Sequence, residues 1–195
     1  MGQRICFGGN TTNYESFLRI VLECGIGTGF WLKLLQSVYH QCYFYGFDIS
    51  KKILEIAQMN LTGGSVILRE GDILKDESFQ YRGISSFDII FCYDVIQQLS
   101  DEDYMIAIQN MLNHLNHNGV AIIFDNEKYS LYGLIMSCKK LLTKFLRVPL
   151  VPYEICEVKY PPLRILNKQI QELGYKSQLY IAKNKIKRAL VIYGK

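Results

Sequence analysis

The sequence of 195 residues has no closely spaced pair of cysteines. Its six cysteines are scattered along the chain, and none of them belongs to a C-x-x-C motif. Three of them, Cys24, Cys42 and Cys92, lie in or beside apolar runs that are typical of strands. We interpret these as buried free thiols of a reducing compartment, rather than as a disulfide framework or a zinc site.

Long apolar runs and a strong charge of either sign are also missing. No stretch approaches the roughly 18 consecutive apolar residues that a membrane span requires. The amino terminus lacks the basic-then-apolar pattern of a signal peptide. The formal net charge of +4 is too small to indicate nucleic acid as a partner. These features together predict a cytoplasmic enzyme or binding domain.

Short apolar runs alternate with longer stretches that have a helical period. The predicted strands of this alternating part are 19–24, 42–47, 65–70, 87–92 and 119–125. The predicted helices between them are 29–40, 50–61 and 101–116. Near-continuous apolar strands that alternate with helices are typical of a parallel sheet that is covered on both faces.

The end of the chain differs, because the predicted strands 175–182 and 187–193 are joined by only four residues. So short a connection can join only antiparallel strands. We therefore predict one α/β domain over 1–195, with a Rossmann-like, doubly wound, mostly parallel sheet of seven strands that ends in an antiparallel hairpin. The basic residues of the hairpin turn are interpreted as solvated: Lys183, Lys185, Lys187 and Arg188.

Helix 101–116 has recognisable signals at both ends. Ser100 is expected to cap its amino terminus, and the acids that follow suit the positive end of the helix dipole. Gly119 is expected to take a left-handed conformation where the helix ends. The three histidines lie in or beside predicted helices and are interpreted as surface residues: His40, His114 and His117.

The segment VLECGIGTGF places three glycines, Gly25, Gly27 and Gly29, directly after the first strand. Glycine allows the chain to turn with positive φ and allows a ligand to approach the backbone closely. Ligands of parallel sheets bind at this carboxyl end of the strands. We interpret the segment as a ligand-binding loop. The alternative is a tight strand-to-helix turn without a ligand.

Acidic residues follow the next two strands. Asp48 ends the second strand, where a carboxylate can accept hydrogen bonds from both hydroxyls of a ribose. Asp72 follows the third strand, where a carboxylate can accept from the exocyclic amine of adenine. Ile49 and Ile73 each come directly after one of these acids, and the two side chains can enclose a flat base. The pattern predicts a ligand that contains a nucleoside.

The glycine spacing distinguishes two such ligands. Dinucleotide folds prefer G-x-G-x-x-G, whereas here Phe30 stands where that pattern has glycine or alanine. Glu23, just before the glycines, would repel a pyrophosphate. An acid at this position suits S-adenosylmethionine (SAM), which has a sulfonium and an amino group and no phosphate. A nucleotide-dependent oxidoreductase is therefore the less favoured alternative.

At this point the sequence resembles the class I SAM-dependent methyltransferases. VLECGIGTG resembles the first motif of that family, E/D-x-G-x-G-x-G, and YGFDIS resembles the second. EGDIL resembles the motif whose acid contacts adenine, and FDIIFCYDVIQQL is similar to the fourth-strand segment. LNHLNHNGVAIIF is similar to the turn into the fifth strand, with His-Asn-Gly in place of Pro-Gly-Gly.

The resemblance implies that SAM is the cofactor and that the following residues bind it: Glu23, Gly25, Gly27, Gly29, Asp48, Ile49, Asp72, Ile73, Cys92 and Tyr14. The backbone near Cys92 would approach the methionine part of the cofactor. Tyr14 would close over the same part, although it is equally well explained as an aromatic residue that packs against the first strand.

Tyr93, Asp94 and Asp125 are the catalytic candidates, because they lie where the fourth and fifth strands end. Asp94, Asp125 and Asn126 also form a set of oxygen ligands that suits Mg²⁺, as in catechol-type O-methyltransferases. We favour the alternative in which Asp94 caps a helix and Asp125 and Asn126 form a polar turn. The surrounding YDVIQQLSDED is more similar to the metal-free small-molecule branch.

The resemblance implies an enzyme that methylates an oxygen or nitrogen of a small-molecule acceptor. No D/N-P-P-Y/F motif follows the fourth strand, which disfavours the branch that methylates amino groups of nucleic acids. Residues 1–18 form only a short amino-terminal arm before the first strand. A second hypothesis is therefore a non-catalytic cofactor-binding or partner subunit with the same fold.

Residues 127–161 are expected to be an insert that caps the substrate. Within it, 131–147 has apolar residues at helical spacing, with lysines and an arginine between or beside them. This pattern resembles a basic amphipathic helix that touches a membrane or an acidic partner. We favour the alternative, in which the helix packs on the sheet or covers the pocket and its lysines lie in water.

Overall fold

The computed structural model describes residues 19–61, 66–147, 150–151, 158–183 and 186–195. Seven strands form one sheet in the order β3-β2-β1-β4-β5-β7-β6. All neighbouring strands are parallel except at β7, which runs antiparallel to both β5 and β6. The strands are β1 Arg19–Cys24, β2 Cys42–Asp48, β3 Val66–Glu70, β4 Phe87–Tyr93, β5 Leu115–Asn126, β6 Lys176–Ile181 and β7 Lys187–Tyr193. The predicted fold is confirmed.

Five α-helices in the described residues connect or follow these strands. They are α1 Phe30–Val38, α2 Lys51–Asn60, α3 Tyr104–Asn113, α4 Leu131–Leu146 and α5 Leu163–Glu172. Two short 3-10 helices, Asp76–Phe79 and Ile96–Gln98, follow β3 and β4. Helix α5 was not predicted from the sequence, although its buried residues Leu163, Leu166 and Ile170 have helical spacing.

The core lies on both faces of the sheet. Successive residues of a strand point to opposite faces, so Val21 and Leu22 of β1 enter different clusters. Val21 packs with Leu32 of α1 and Leu54 of α2. Leu22 belongs to the larger cluster, which includes residues of α3 and α5. This two-sided burial explains why the strands have near-continuous apolar sequences.

Two expected signals at the ends of α3 differ in the structure. The cap residue of α3 is Asp103, and the Ser100 hydroxyl donates to its carboxylate at 2.6 Å. The left-handed residue is Asn118, with φ of 64°, and it lies within β5. Position 119 has no room for a side chain, since a Cβ added to Gly119 would lie 2.8 Å from the carbonyl oxygen of Asn116.

His114 is buried, so its interpretation as a surface residue was wrong. Its ring stacks on Phe79 at 5.1 Å between ring centroids. One ring nitrogen lies 2.9 Å from Asp76 Oδ1 and the other lies 2.5 Å from the carbonyl oxygen of Ser85. The bond from His114 lowers the pKa of the Asp76 carboxyl. This histidine holds the segment after β3 against the end of α3.

Buried polar contacts fix the start of α4. Ser130 caps the helix, because its hydroxyl oxygen accepts from the Gly133 amide at 3.0 Å. The Glu127 carboxylate accepts from the backbone amides of Tyr129 at 3.2 Å and Arg164 at 3.1 Å. The second bond ties the beginning of α4 to the beginning of α5.

We predict that Gly133→Ala lowers the free energy of unfolding by about 1–3 kcal/mol, the usual cost of overpacking. An added Cβ would clash with the carbonyl oxygens of Glu127 and Lys128, which are backbone atoms and cannot turn away. Urea unfolding followed by circular dichroism measures this. Ser137→Ala, one turn further along α4, is the control and should cost about 1 kcal/mol or less. Equal stabilities of the Gly133→Ala variant and the wild type would contradict the packing described.

Candidate active site

The glycine loop joins β1 to α1 and has an unusual backbone conformation. Gly25, Gly27 and Gly29 all have positive φ, at 70°, 54° and 81°. The amides of Gly25 and Ile26 donate to the carbonyl oxygen of Phe47, at 2.8 and 3.0 Å, which anchors the loop to β2. At Gly25 a side chain is also excluded by space, because an added Cβ would lie 2.5 Å from Val95.

Asp48 connects this loop to the turn after β2. Its Oδ2 accepts from the Gly27 amide at 3.0 Å, and its Oδ1 accepts from the Ser50 amide at 2.9 Å. A carboxylate has about four lone-pair positions, so two remain for a ligand. The side chain is largely buried but lies in the wall of a cleft rather than turning away from it.

The cleft has a volume of about 570 Å³ and lies at the carboxyl ends of β1, β2, β3 and β4. The structure brings eight of the predicted site residues together in its wall: Gly25, Gly27, Asp48, Ile49, Asp72, Ile73, Tyr93 and Asp94. The remaining lining residues were not predicted: Phe47, Ile53, Gly71, Val95, Gln98 and Leu99. Three of the lining residues are acidic, and none of these described lining residues is basic.

Asp72 and the two isoleucines lie at one end of this cleft. The Asp72 carboxylate accepts from the Leu74 amide at 3.0 Å, and its own amide donates to the Ser78 hydroxyl at 2.8 Å. These bonds fix the side chain at the cleft wall. Ile49 is 70% exposed, whereas Ile73 is buried, so one isoleucine lies at the rim and the other at the floor.

Three of the predicted cofactor-binding residues in the described part of the chain do not line the cleft. Glu23 and Cys92 are buried in β1 and β4. Gly29 is the cap residue of α1, and an added Cβ there would lie 2.9 Å from the side chain of Leu61. Tyr14 lies outside the described residues. Their roles at the cofactor stay predictions.

Glu23 is a buried acid beneath the glycine loop. Burial is the main reason that its pKa is raised to about 9, and the charge of Asp48 raises it further, while the Leu32 amide lowers it. Its Oε2 has no hydrogen-bond partner in the part of the chain that the structure describes. Such an acid is neutral at pH 7, and a nearby cation would favour its ionised form.

Tyr93 and Asp94 form the wall at the end of β4. Asp94 has a left-handed backbone, with φ of 59°, and its amide donates to the carbonyl oxygen of Phe124 at 2.9 Å. Its carboxylate forms an ion pair with Lys187 of β7. The Lys187 ammonium also lies 4.4 Å from the ring centroid of Tyr93, and the Trp31 ring packs on the same tyrosine at 4.8 Å.

Asp125 lies below this wall and is fully buried. Its carboxylate accepts from the amides of Gln97 at 3.0 Å and Asn126 at 2.8 Å. Burial raises its pKa to about 7, and the charge of Asp94 contributes in the same direction. Of the three catalytic candidates, Tyr93 and Asp94 therefore face the cleft and Asp125 does not.

The hypothetical metal set of Asp94, Asp125 and Asn126 is divided in the structure. The Lys187 ammonium already neutralises Asp94, and backbone amides bind Asp125. The described residues contain no cluster of three or more metal-binding side chains. The geometry does not fit a divalent cation at this position, because the positive charge of the Lys187 ammonium would repel it.

The position of Lys187 was not predicted, and the interpretation of the hairpin as solvated is wrong for two residues. Arg188 is buried, and the Lys187 side chain is mostly buried. Lys183 is exposed as expected, and Lys185 lies outside the described residues. The missed signal is the antiparallel pairing of β7 with β5, which places Lys187 opposite Asn126 at the cleft edge.

We predict that Glu23→Gln flattens the pH dependence of stability. Below about pH 4.5 the carboxyl is protonated in both the folded and unfolded states, and above this it stays protonated only in the folded state, up to about pH 9. Wild-type stability therefore falls as pH rises through this window, by up to about 1.4 kcal/mol per pH unit. Glutamine has no such proton to lose. Urea unfolding at several pH values checks this.

Glu55→Gln, on the exposed side of α2, is the control and should leave the slope unchanged. Parallel stability curves of Glu23→Gln and the wild type would contradict a neutral Glu23.

Comparison with known proteins agrees with this fold. The profile of the methyltransferase domain family matches residues 21–119, which are 99 of the 195 residues. This range contains the glycine loop, the acids after β2 and β3, and the end of β4. By sequence, no curated protein matches the chain.

Solved structures share the fold at low identity. An O-methyltransferase family protein from Burkholderia thailandensis is 12% identical, with a TM-score of 0.72 over 92% of this chain and 52% of that one. Human N-acetylserotonin methyltransferase, solved with SAM, is 14% identical, with a TM-score of 0.63 over 93% and 49%. The magnesium protoporphyrin IX methyltransferase of Synechocystis, solved with S-adenosylhomocysteine, is 16% identical, with a TM-score of 0.64 over 93% and 76%.

The chain spans about half the length of the first two of these proteins. A profile match over half of the sequence assigns the family, and the fold shared with the solved structures agrees with it. The chain belongs to the methyltransferase domain family and has the fold of the class I SAM-dependent methyltransferases.

Proposed function

We propose that the protein binds SAM in the cleft and transfers its methyl group to an oxygen or nitrogen of a small-molecule acceptor. The observation that carries this proposal is the charge of the cleft. Asp48 and Asp72 line it beside the glycine loop, Asp94 is paired with Lys187, and the described lining residues include no basic one. A cationic nucleoside suits this wall, whereas a pyrophosphate would be repelled.

Polar and apolar side chains of the cleft support binding of the ribose and the adenine of the cofactor. The two free lone-pair positions on the Asp48 carboxylate can accept from ribose hydroxyls. Asp72 can accept from the adenine amine, and the rim and floor isoleucines, Ile49 and Ile73, can enclose the base. One oxygen of the buried Glu23 carboxyl has no hydrogen-bond partner among the described residues. A cation bound above it would favour the ionised carboxylate, which would in turn attract the cation.

SAM supplies a methyl group on a sulfonium, so the leaving group is already activated when it binds. The residues of this chain then have to hold the acceptor in line with the methyl group and to exclude water. Tyr93 and Asp94, at the end of β4, are the candidates for this task, and Lys187 contacts both of them. Asp94 can also take a proton from an acceptor that loses one on attack.

Calorimetry with SAM, S-adenosylhomocysteine and NAD tests the cofactor. We expect the first two to bind and NAD to fail. Asp48→Asn should weaken SAM binding about 10- to 100-fold, since a hydrogen bond to a charged group contributes roughly 1.5–3 kcal/mol. Asp101→Asn is the matched control, because Asp101 does not line the cleft and forms an exposed ion pair with Lys128. NAD binding alone would reject the proposal.

Methyl transfer from isotopically labelled SAM to a panel of phenols, catechols and amines tests the activity. SAM binding without turnover on any of them would favour the non-catalytic subunit. Activity that EDTA abolishes would favour the catechol-type enzyme, against the pairing of Asp94 with Lys187.

A further inference from the structure

Helix α4 exposes its apolar face at Leu131, Leu141 and Phe145, so the expectation that this face packs on the sheet or covers the pocket was wrong. None of the helices in the described residues has the length and apolar character that crossing a bilayer would require. The face of a helix is convex, whereas binding sites for small molecules are concave. A concave apolar site lies elsewhere in the molecule, beside α1.

This site is a groove between α1 and the sheet, and we call it the α1 groove. It has a volume of about 700 Å³, and Trp31, Leu34 and Leu35 of α1 form one wall. The floor is apolar and comes from β1, β4 and β5: Val21, Ile89, Phe91, Val120, Ile122 and Phe124. Small-molecule sites usually have volumes of roughly 300–1,000 Å³ and mostly apolar linings. The α1 groove therefore has the size and character of such a site.

The α1 groove extends along the strands. On β4 its lining runs from Asp88 to Tyr93, which is a rise of about 16 Å. The charged lining residues, Arg19 and Asp88, lie at the amino-terminal end of the strands. The Asp88 carboxylate already accepts from the Ile20 amide at 2.8 Å and from the Asn116 side chain at 3.0 Å. The length of the groove and its apolar floor suit an elongated apolar molecule.

Tyr93 connects the α1 groove to the cofactor cleft, because it lines both of them. Its ring packs on Trp31 at 4.8 Å and on Phe124 at 6.1 Å between ring centroids. The Lys187 ammonium lies 4.4 Å from the same ring and pairs with the Asp94 carboxylate. A molecule that fills the groove would therefore end next to the cofactor cleft, beside an ion pair.

We propose that the α1 groove binds the methyl acceptor, and that this acceptor is an elongated, largely apolar molecule with a hydroxyl group at one end. Its body covers the partly exposed side chains of Val120, Ile122 and Phe124, which is favourable because apolar surface leaves water. Its hydroxyl lies at Tyr93, where it can donate to a remaining lone pair of Asp94. An aliphatic amine at the same place would be protonated and would compete with Lys187 for that carboxylate.

The role of the acceptor rests on the proposed function, whereas binding of an apolar molecule in the α1 groove does not. Calorimetry with para-octylphenol tests the binding. In the control ligand, para-hydroxybenzoate, a carboxylate replaces the octyl chain. We expect it to bind at least about 10-fold more weakly, because an unpaired carboxylate is costly to bury. Trp31 is the single tryptophan of the chain and lines the groove, so its fluorescence should change when para-octylphenol binds.

Leu34→Gln with Val120→Thr is the test variant. Both side chains line the α1 groove, and neither is buried, so the variant should fold like the wild type. It should bind para-octylphenol about 10-fold or more weakly, because the ligand would cover two polar groups that have no partners. Its affinity for SAM should be unchanged, since neither residue is among the described residues that line the cleft.

Ile56→Gln with Ile67→Thr is the matched control on α2 and β3. Both isoleucines are exposed, and neither is among the described residues that line the α1 groove or the cleft. This control should bind para-octylphenol like the wild type. Methyl transfer from labelled SAM to limiting para-octylphenol should fall by about the same factor as binding in the groove variant, and it should be unchanged in the control.

The outcomes separate this inference from the proposed function. A protein that binds SAM but not para-octylphenol would overturn this inference alone, and so would equal losses in the groove variant and its control. Failure to bind SAM would reject the proposed function, and with it the acceptor role of the groove. A dimer in sedimentation velocity that Leu34→Gln with Val120→Thr converts to a monomer would assign the groove to a second copy. A crystal structure with the chain's own residues in the groove would also overturn the inference.

Discussion

The carboxylate of Asp48 determines the shape of the cleft. It accepts one amide from the glycine loop after β1 and one from the turn that begins α2, and so it joins the ends of two strands. Hydrogen bonds to an ionised acceptor are stronger than those between neutral groups. The loop thus has a fixed conformation before a ligand arrives, and ligand recognition can use the oxygen lone pairs that remain.

The reversed strand β7 contributes Lys187 to the end of the cleft that is formed by Tyr93 and Asp94. Because it runs antiparallel to β5, its first residue lies at the edge where the parallel strands end, and Lys187 reaches Asp94 and Tyr93 from there. A parallel strand at this position would have placed its last residues at the edge instead. The lysine neutralises Asp94, so the negative charge of the cleft lies at Asp48 and Asp72.

The strands, the glycine loop and the acids after β2 and β3 could be predicted, because their signals are local: apolar runs, glycine spacing and a polar residue at a strand end. Lys187 could not be identified in this way, since its importance arises from a pairing with β5 across the sheet. The exposure of Leu131, Leu141 and Phe145 on α4 could not be predicted for a related reason. Helical spacing of apolar residues shows that they share one face, but it does not show whether that face is turned inward or outward.

The contact between Gly25 and Val95 has a mechanical consequence. The glycine leaves just enough room for the valine, and the valine is next in sequence to Asp94. A bulkier residue at 95 would push directly on backbone atoms of the loop beneath the cofactor cleft. Position 95 therefore tolerates almost no gain in volume, because any gain is transmitted as a displacement of the glycine loop.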